Sequence, residues 1–196
     1  MITAPDGTTD GMTAEQLIGY TMPGKRVELV RGQLVVREPA SFRHGDVGLR
    51  LGIALGIHLT QEQQANGWAT RRGRLATLDP GFTLARNPDT VRAPDVAYVS
   101  RERHPDRMPD GFPEFAPDLA VEVRSPGDRA GAVIAKVSEW LAAGTLLVWS
   151  VDPEREQVVV YRADGSVSVL GMHDTLLGET VLPGFAMALA VLFADD

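Results

Sequence analysis

PDLAVEVRSPGD, residues 117–128, is a short apolar strand that runs into a Ser-Pro-Gly-Asp turn, and the segments after it set the fold. The turn, Ser125-Pro126-Gly127-Asp128, can cap a helix over 129–143, with Val133, Val137, Trp140 and Leu141 recurring at helical spacing. TLLVWSVD, residues 145–152, then reads as a strand buried on both faces, because it is almost entirely apolar. Strand, helix and strand in succession predict a crossover between parallel strands of one sheet, hence a mixed α/β domain. The stretch also poses a chemical question. Its alternation puts Leu119, Val121 and Val123 on one face and Ala120, Glu122 and Arg124 on the other, so a carboxylate stands where the pattern asks for an apolar residue. Glu122 and Arg124 can neutralise each other on a solvated face. Otherwise a buried carboxylate needs another partner, a shifted pKa or a metal.

Working outward, MTAEQLIGY (12–20) reads as a short helix with Thr13 and Gln16 at capping-box positions. RVELVRGQLVVRE (26–38) is a hairpin turning at Arg31-Gly32. From Phe42 to about Gln64, Val47, Leu51, Ala54, Leu55 and Leu59 mark one long amphipathic helix that ends before Asn66-Gly67. Short strands follow at RLATL, FTLA and PDVAYVS, and a Pro-rich loop covers 101–117. QVVVYRADGSVSVL (157–170) is a second hairpin with Asp164-Gly165 at its turn, and the apolar tail LPGFAMALAVLF (182–193) is expected to pack back on the core. Residues 1–11 read as a flexible extension and 12–196 as one domain. This is a central sheet flanked by helices, with N-terminal and C-terminal hairpins.

Composition narrows the chemistry. No apolar run is long enough for a membrane span and the N-terminus lacks signal-peptide character, so a cytoplasmic protein is expected. The absence of cysteine removes thiolate chemistry and leaves His, Asp and Glu as metal ligands, which favours a hard ion such as Mg²⁺ or Mn²⁺. A net charge of −7 argues against coating nucleic acid by charge alone, although a local basic groove is compatible with it. Arg71, Arg72 and Arg74, and likewise Arg101, Arg103 and Arg107, read as solvated loop arginines.

Glu122 needs a second acid to hold a cation. Asp118 lies on the same strand roughly 13 Å away along the chain, too far to share an ion. Asp95 opens the preceding strand and can approach Glu122 across a strand gap of ~4.8 Å. At about 100° per residue, Lys136 falls at the edge of the helix stripe, so its ammonium can reach the same end of the sheet. Two acids and a cation suit metal-assisted phosphodiester hydrolysis, the acids holding Mg²⁺ and the cation steadying hydroxide or phosphate.

The ordered series VELVRGQLVV, APDVAYVS, APDLAVEVRSP, a helical lysine, EWLAAGTLLVWSVDPE, VVVYR and LPGF resembles the Uma-type family of restriction endonuclease-like proteins, within the PD-(D/E)XK nuclease superfamily. The likeness runs from about residue 12 onward. It implies a restriction endonuclease-like fold and a metal-dependent endonuclease acting on DNA, with Asp95 and Glu122 as metal ligands and Lys136 as the lysine displaced from strand to helix. It further implies Glu28 as a ligand or proton acceptor, the other reading being a hairpin surface charge, and His44 as a phosphate contact or a residue at the helix start. The superfamily's strand lysine is Arg124 here, which can clamp a phosphate or supply charge but is a poor proton shuttle. A duplex substrate would suit a homodimer. The rival reading is a nuclease-fold protein that binds nucleic acid or a protein without cleaving. A two-carboxylate glycosidase fits poorly, since aromatic residues make up only 6% of the chain and no sugar platform accompanies the acids.

Overall fold

The computed structural model describes residues 11–67, 72–104 and 107–194. The expected N-terminal extension, apart from Gly11, and Arg71 of the first arginine cluster lie outside the described residues. The chain begins with α1 (Ala14–Ile18), whose capping box joins Thr13 and Gln16 as the sequence predicts. β1 (Arg26–Val30) and β2 (Gln33–Arg37) form the first hairpin. Arg31 and Gly32 both take positive φ (49° and 76°), the twist that a two-residue hairpin turn requires.

α2 (Phe42–Asn66) is the long helix, started by the Ser41 hydroxyl accepting from the His44 backbone N–H and stopped at Gly67. β3 (Gly73–Thr77), β4 (Phe82–Ala85), β5 (Thr90–Arg92) and β6 (Val96–Ser100) follow, then β7 (Leu119–Val123), α3 (Ala130–Ala142) and β8 (Leu147–Asp152). β9 (Gln157–Arg162) and β10 (Val167–Leu170) make the second hairpin. β11 (Thr175–Leu177), β12 (Ala186–Ala188) and α4 (Leu189–Leu192) complete the tail.

Six strands form the central sheet in the order β10-β9-β8-β7-β6-β3, antiparallel except for the β7/β8 pair joined by α3. A second sheet, β2-β1-β5-β4, stands beside it, and β11-β12 forms a small ribbon. The alternation in β7 divides the core as expected. Leu119, Val121 and Val123 pack with Val47, Leu51 and Leu55 of α2 and with Leu182, Leu189, Leu192 and Phe193 of the returning tail. Ala120 and Val148 face Val137 and Trp140 of α3. Every residue of β8 is buried. Burying each such Leu or Val contributes about 1.5–3 kcal/mol, so the crossover is the best-anchored part of the molecule.

Two local expectations are corrected. The Ser-Pro-Gly-Asp turn supplies no side-chain cap to α3. The cap residue is Arg129, with no side-chain cap bond, because the Asp128 carboxylate turns back to accept from the Ser125 backbone N–H at 2.9 Å. Three arginines of the two clusters are also tied down, while Arg101 and Arg107 are exposed as expected: Arg72 Nε lies 2.7 Å from Glu62, Arg74 donates to the His104 carbonyl, and Arg103 donates to the buried Asp118 at 3.0 Å. Among the described residues, no helix is long and apolar enough to cross a membrane.

Candidate active site

Where the second sheet meets the open ends of β6 and β7, the molecule has a pocket of about 270 Å³. Its walls include Glu28, Asp95, Glu122, Arg124, Lys136 and His44, so all six residues singled out from the sequence converge on it. β6 and β7 pair from Val96 opposite Val121 onward, and Asp95 stands just ahead of that ladder. Its backbone N–H donates to the Val121 carbonyl at 2.9 Å and its carboxylate accepts from the Val123 backbone N–H, so Asp95 is bonded to both chain neighbours of Glu122.

Asp95 gathers donors on the α2 side. Its Oδ2 accepts from the Val123 backbone N–H at 2.7 Å, and its Oδ1 lies 2.7 Å from His44 Nε2 and 3.2 Å from Arg26 Nη1. Burial pushes its pKa up, but His44, the Val123 N–H and the Lys136 charge outweigh that and hold it below the usual carboxylate range. An ionised Asp95 accepts, so His44 Nε2 donates to it, and His44 Nδ1 lies 3.3 Å from the Ser125 hydroxyl. His44 is buried at the start of α2, touching the acid rather than standing free at the helix end.

Glu122 faces α3. Its Oε2 accepts from Lys136 Nζ at 2.8 Å and its Oε1 from Trp140 Nε1 at 2.8 Å. Burial dominates and raises its pKa to about 7, assisted by the charges of Asp95 and Glu28 and opposed by Lys136. Lys136 is itself buried and donates to Glu122, to the Ala93 carbonyl at 3.0 Å and to Glu28 Oε1, 2.9 Å away. An ammonium has three N–H donors, and all three are thereby committed. Burial depresses its pKa, but Glu122 and Glu28 more than offset this and keep it a cation. Lys136 is therefore no general base in this conformation.

Glu28 is not a hairpin surface charge. β1 lies between β2 and β5, so Glu28 is 4% exposed and accepts from Arg92 Nη1 at 2.9 Å and the Ala93 backbone N–H at 3.0 Å. Burial raises its pKa, yet Lys136, Arg92 and the Ala93 N–H bring it down to about 2. Arg124 likewise departs from its simplest reading as the partner of Glu122. The parallel register pairs Val123 with Val151, which sets Arg124 beside Asp152, and its Nη1 donates to Asp152 Oδ2 at 2.7 Å. Arg124 Nε has no partner. Asp118, set aside on distance, is a buried acceptor for Ser100 and Arg103 at the far end of β7.

Arg26, Arg92, Ser125 and Trp140 also contact the acids or their partners, although sequence reasoning gave none of them a site role. Only Trp140 had left a signal, as a member of the α3 stripe. Its indole N–H is the part that periodicity does not report.

The acids suit a hard cation in kind: two carboxylates from neighbouring strands line one cleft, and Mg²⁺ is commonly held by one or two carboxylates with waters and substrate phosphate completing its shell. Among the described residues, no group of three or more His, Asp or Glu side chains is arranged to hold a metal ion, so an all-protein cage is not the model to apply.

Fold and cleft together define a restriction endonuclease-like α/β protein. A putative nuclease of Anabaena variabilis belonging to DUF820, known from its crystal structure, superposes with a TM-score of 0.76 at 18% identity, covering 93% of this chain and 97% of that one. The model of the Uma2 family, described as "Putative restriction endonuclease", matches residues 14–191, and the chain belongs to that family. No curated protein matches the chain. The family match supports a nuclease, and the structural neighbour supports the fold.

Proposed function

We propose that the protein is a Mg²⁺- or Mn²⁺-dependent endonuclease that hydrolyses phosphodiester bonds of DNA at this cleft. The observation that carries the reading is one cleft lined by both acids, Asp95 being bonded to the backbone on either side of Glu122 and the Lys136 ammonium to Glu122 itself. Asp95 and Glu122 are the residues that would hold the ion. The chemistry such an ion would supply, held by these two acids, is activation of water and neutralisation of charge on the phosphate.

The chain's own groups prepare the site for this. His44 and the Val123 N–H fix the Asp95 carboxylate from two directions. Lys136 keeps a positive charge against Glu122, and Glu28 anchors that ammonium from the opposite side. With its donors committed, Lys136 acts by holding and charging Glu122 rather than by reaching the substrate. Arg124 lines the cleft with a partly exposed guanidinium and is the residue we assign to a substrate phosphate. Cutting both strands of a duplex would ask for two copies related by a two-fold axis, and a cytoplasmic setting suits such a task.

Incubating supercoiled plasmid with the protein tests the proposal. Nicked and linear products should form with Mg²⁺ or Mn²⁺, vanish with chelator, and fall by at least ~100-fold in Glu122→Ala, the scale expected when an electrostatic contributor to the transition state is lost. The alternative, a binder that does not cleave, draws support from one observation: both acids are already satisfied by protein donors. DNA retained on the protein in every divalent cation, with no product, would favour it.

A further inference from the structure

Trp140 lies four residues after Lys136 on α3, so both side chains leave the same face of the helix. That face meets β7 at Glu122, and the two residues divide its carboxylate between them, Trp140 Nε1 donating to Oε1 and Lys136 Nζ to Oε2, each at 2.8 Å. The indole is wholly buried and held in place by Phe82, which packs edge-on at 6.1 Å and 79°. An indole N–H is a donor only, and burying it unpaired is costly. A backbone carbonyl would have met that need.

Here the donor is spent on an acid that burial already strains, and that choice constrains the acid. Rotation of a carboxylate about its last bond is soft and roughly two-fold. One donor per oxygen fixes the plane, and each oxygen keeps further acceptor capacity for a cation. We infer that Trp140 is a positioning residue of the nuclease site: it sets the orientation of Glu122 through its indole N–H. This rests on the metal-dependent reading above. Lys136 supplies the charge that favours the ionised form, and Trp140 supplies direction.

Trp140→Phe keeps a ring against Phe82 and removes the donor. Trp149→Phe is the matched control, since Trp149 is equally buried, packs on the α2 side of the sheet and has no partner for its Nε1. In calorimetry, Mn²⁺ affinity should drop roughly 10–100-fold in Trp140→Phe, the usual effect of losing a group that orients a metal ligand, and stay near wild type in Trp149→Phe. Turnover should fall with it while KM for DNA is unchanged. Unaltered Mn²⁺ affinity and turnover in a folded Trp140→Phe protein would overturn the inference.

A measurement on the unaltered ring covers the case in which that variant does not fold. The ¹⁵N-indole resonance of Trp140 should shift as Mg²⁺ saturates the wild-type chain and remain still in Glu122→Gln. A resonance that does not move at saturation overturns the inference while leaving the metal site standing. A wild-type chain that binds no divalent cation overturns the metal-dependent reading, and Trp140's role with it.

Discussion

Asp95 and Glu122 are like acids on neighbouring strands, yet their surroundings drive them in opposite directions. Burial raises both; Asp95 recovers through His44, a backbone N–H and the Lys136 charge, whereas Glu122 also feels Asp95 and Glu28 and stays near 7. Glu28 is the third member of this cluster and the one whose effect on stability is easiest to isolate. Its pKa falls from 4.5 unfolded to about 2 folded. The ionised form is thus favoured by folding, and the associated stability is complete above pH ~4.5 and lost as pH drops toward 2. Linkage puts that contribution on the order of 3 kcal/mol at neutral pH. Glu28→Gln should therefore lower stability to urea at pH 7 by a few kcal/mol, and its difference from wild type should shrink steadily below pH 4. A difference that is constant with pH would contradict the assignment. Arg124→Ala has a different expectation. Asp152 keeps the backbone N–H groups of Glu154 and Arg155 as donors, so stability should change by only ~1 kcal/mol or less while DNA affinity falls.

At the scale of elements, α2 joins core to site: Val47, Leu51 and Leu55 bury against the sheet, and His44 at its first turn reaches Asp95. Leu51→Ala should cost about 2–5 kcal/mol by leaving a cavity, measurable by thermal unfolding. Below the lowered melting point the cleavage rate should be near normal, because the helix start is fixed independently by Ser41. This helix was legible in the sequence because its apolar period and its Asn66-Gly67 stop agree, and the structure adds the Ser41 cap. β7, β8 and both hairpins were legible for similar reasons, each having an unbroken pattern bounded by turn residues. β5 was missed, being three residues long, and that omission hid the depth of Glu28, since β5 is what covers β1. Arg124 lines the cleft, and the partner it takes there was not legible. Asp152 becomes its neighbour only through the parallel register of β7 and β8, which depends on how α3 spans the crossover. Asp128 had the chemistry of a helix cap and was drawn instead to the Ser125 N–H.

On the whole molecule, the charge of −7 makes nonspecific attraction to DNA weak, so under the proposed function phosphate contacts would fall to the cations that line the cleft. Lys25, Arg37 and Arg124 stand among acids there. If these three meet phosphates, affinity measured by anisotropy with uncleaved DNA should fall with salt at a log–log slope of about −3, and Arg124→Ala should flatten it by about one. The central claim concerns the acids themselves. Titrating Mn²⁺ into the wild-type protein, Asp95→Ala and Glu122→Ala by calorimetry tests it most directly. The account predicts binding in the wild type that is lost in each variant while both remain folded by circular dichroism. Binding of equal strength in all three proteins, or none in any, would contradict it.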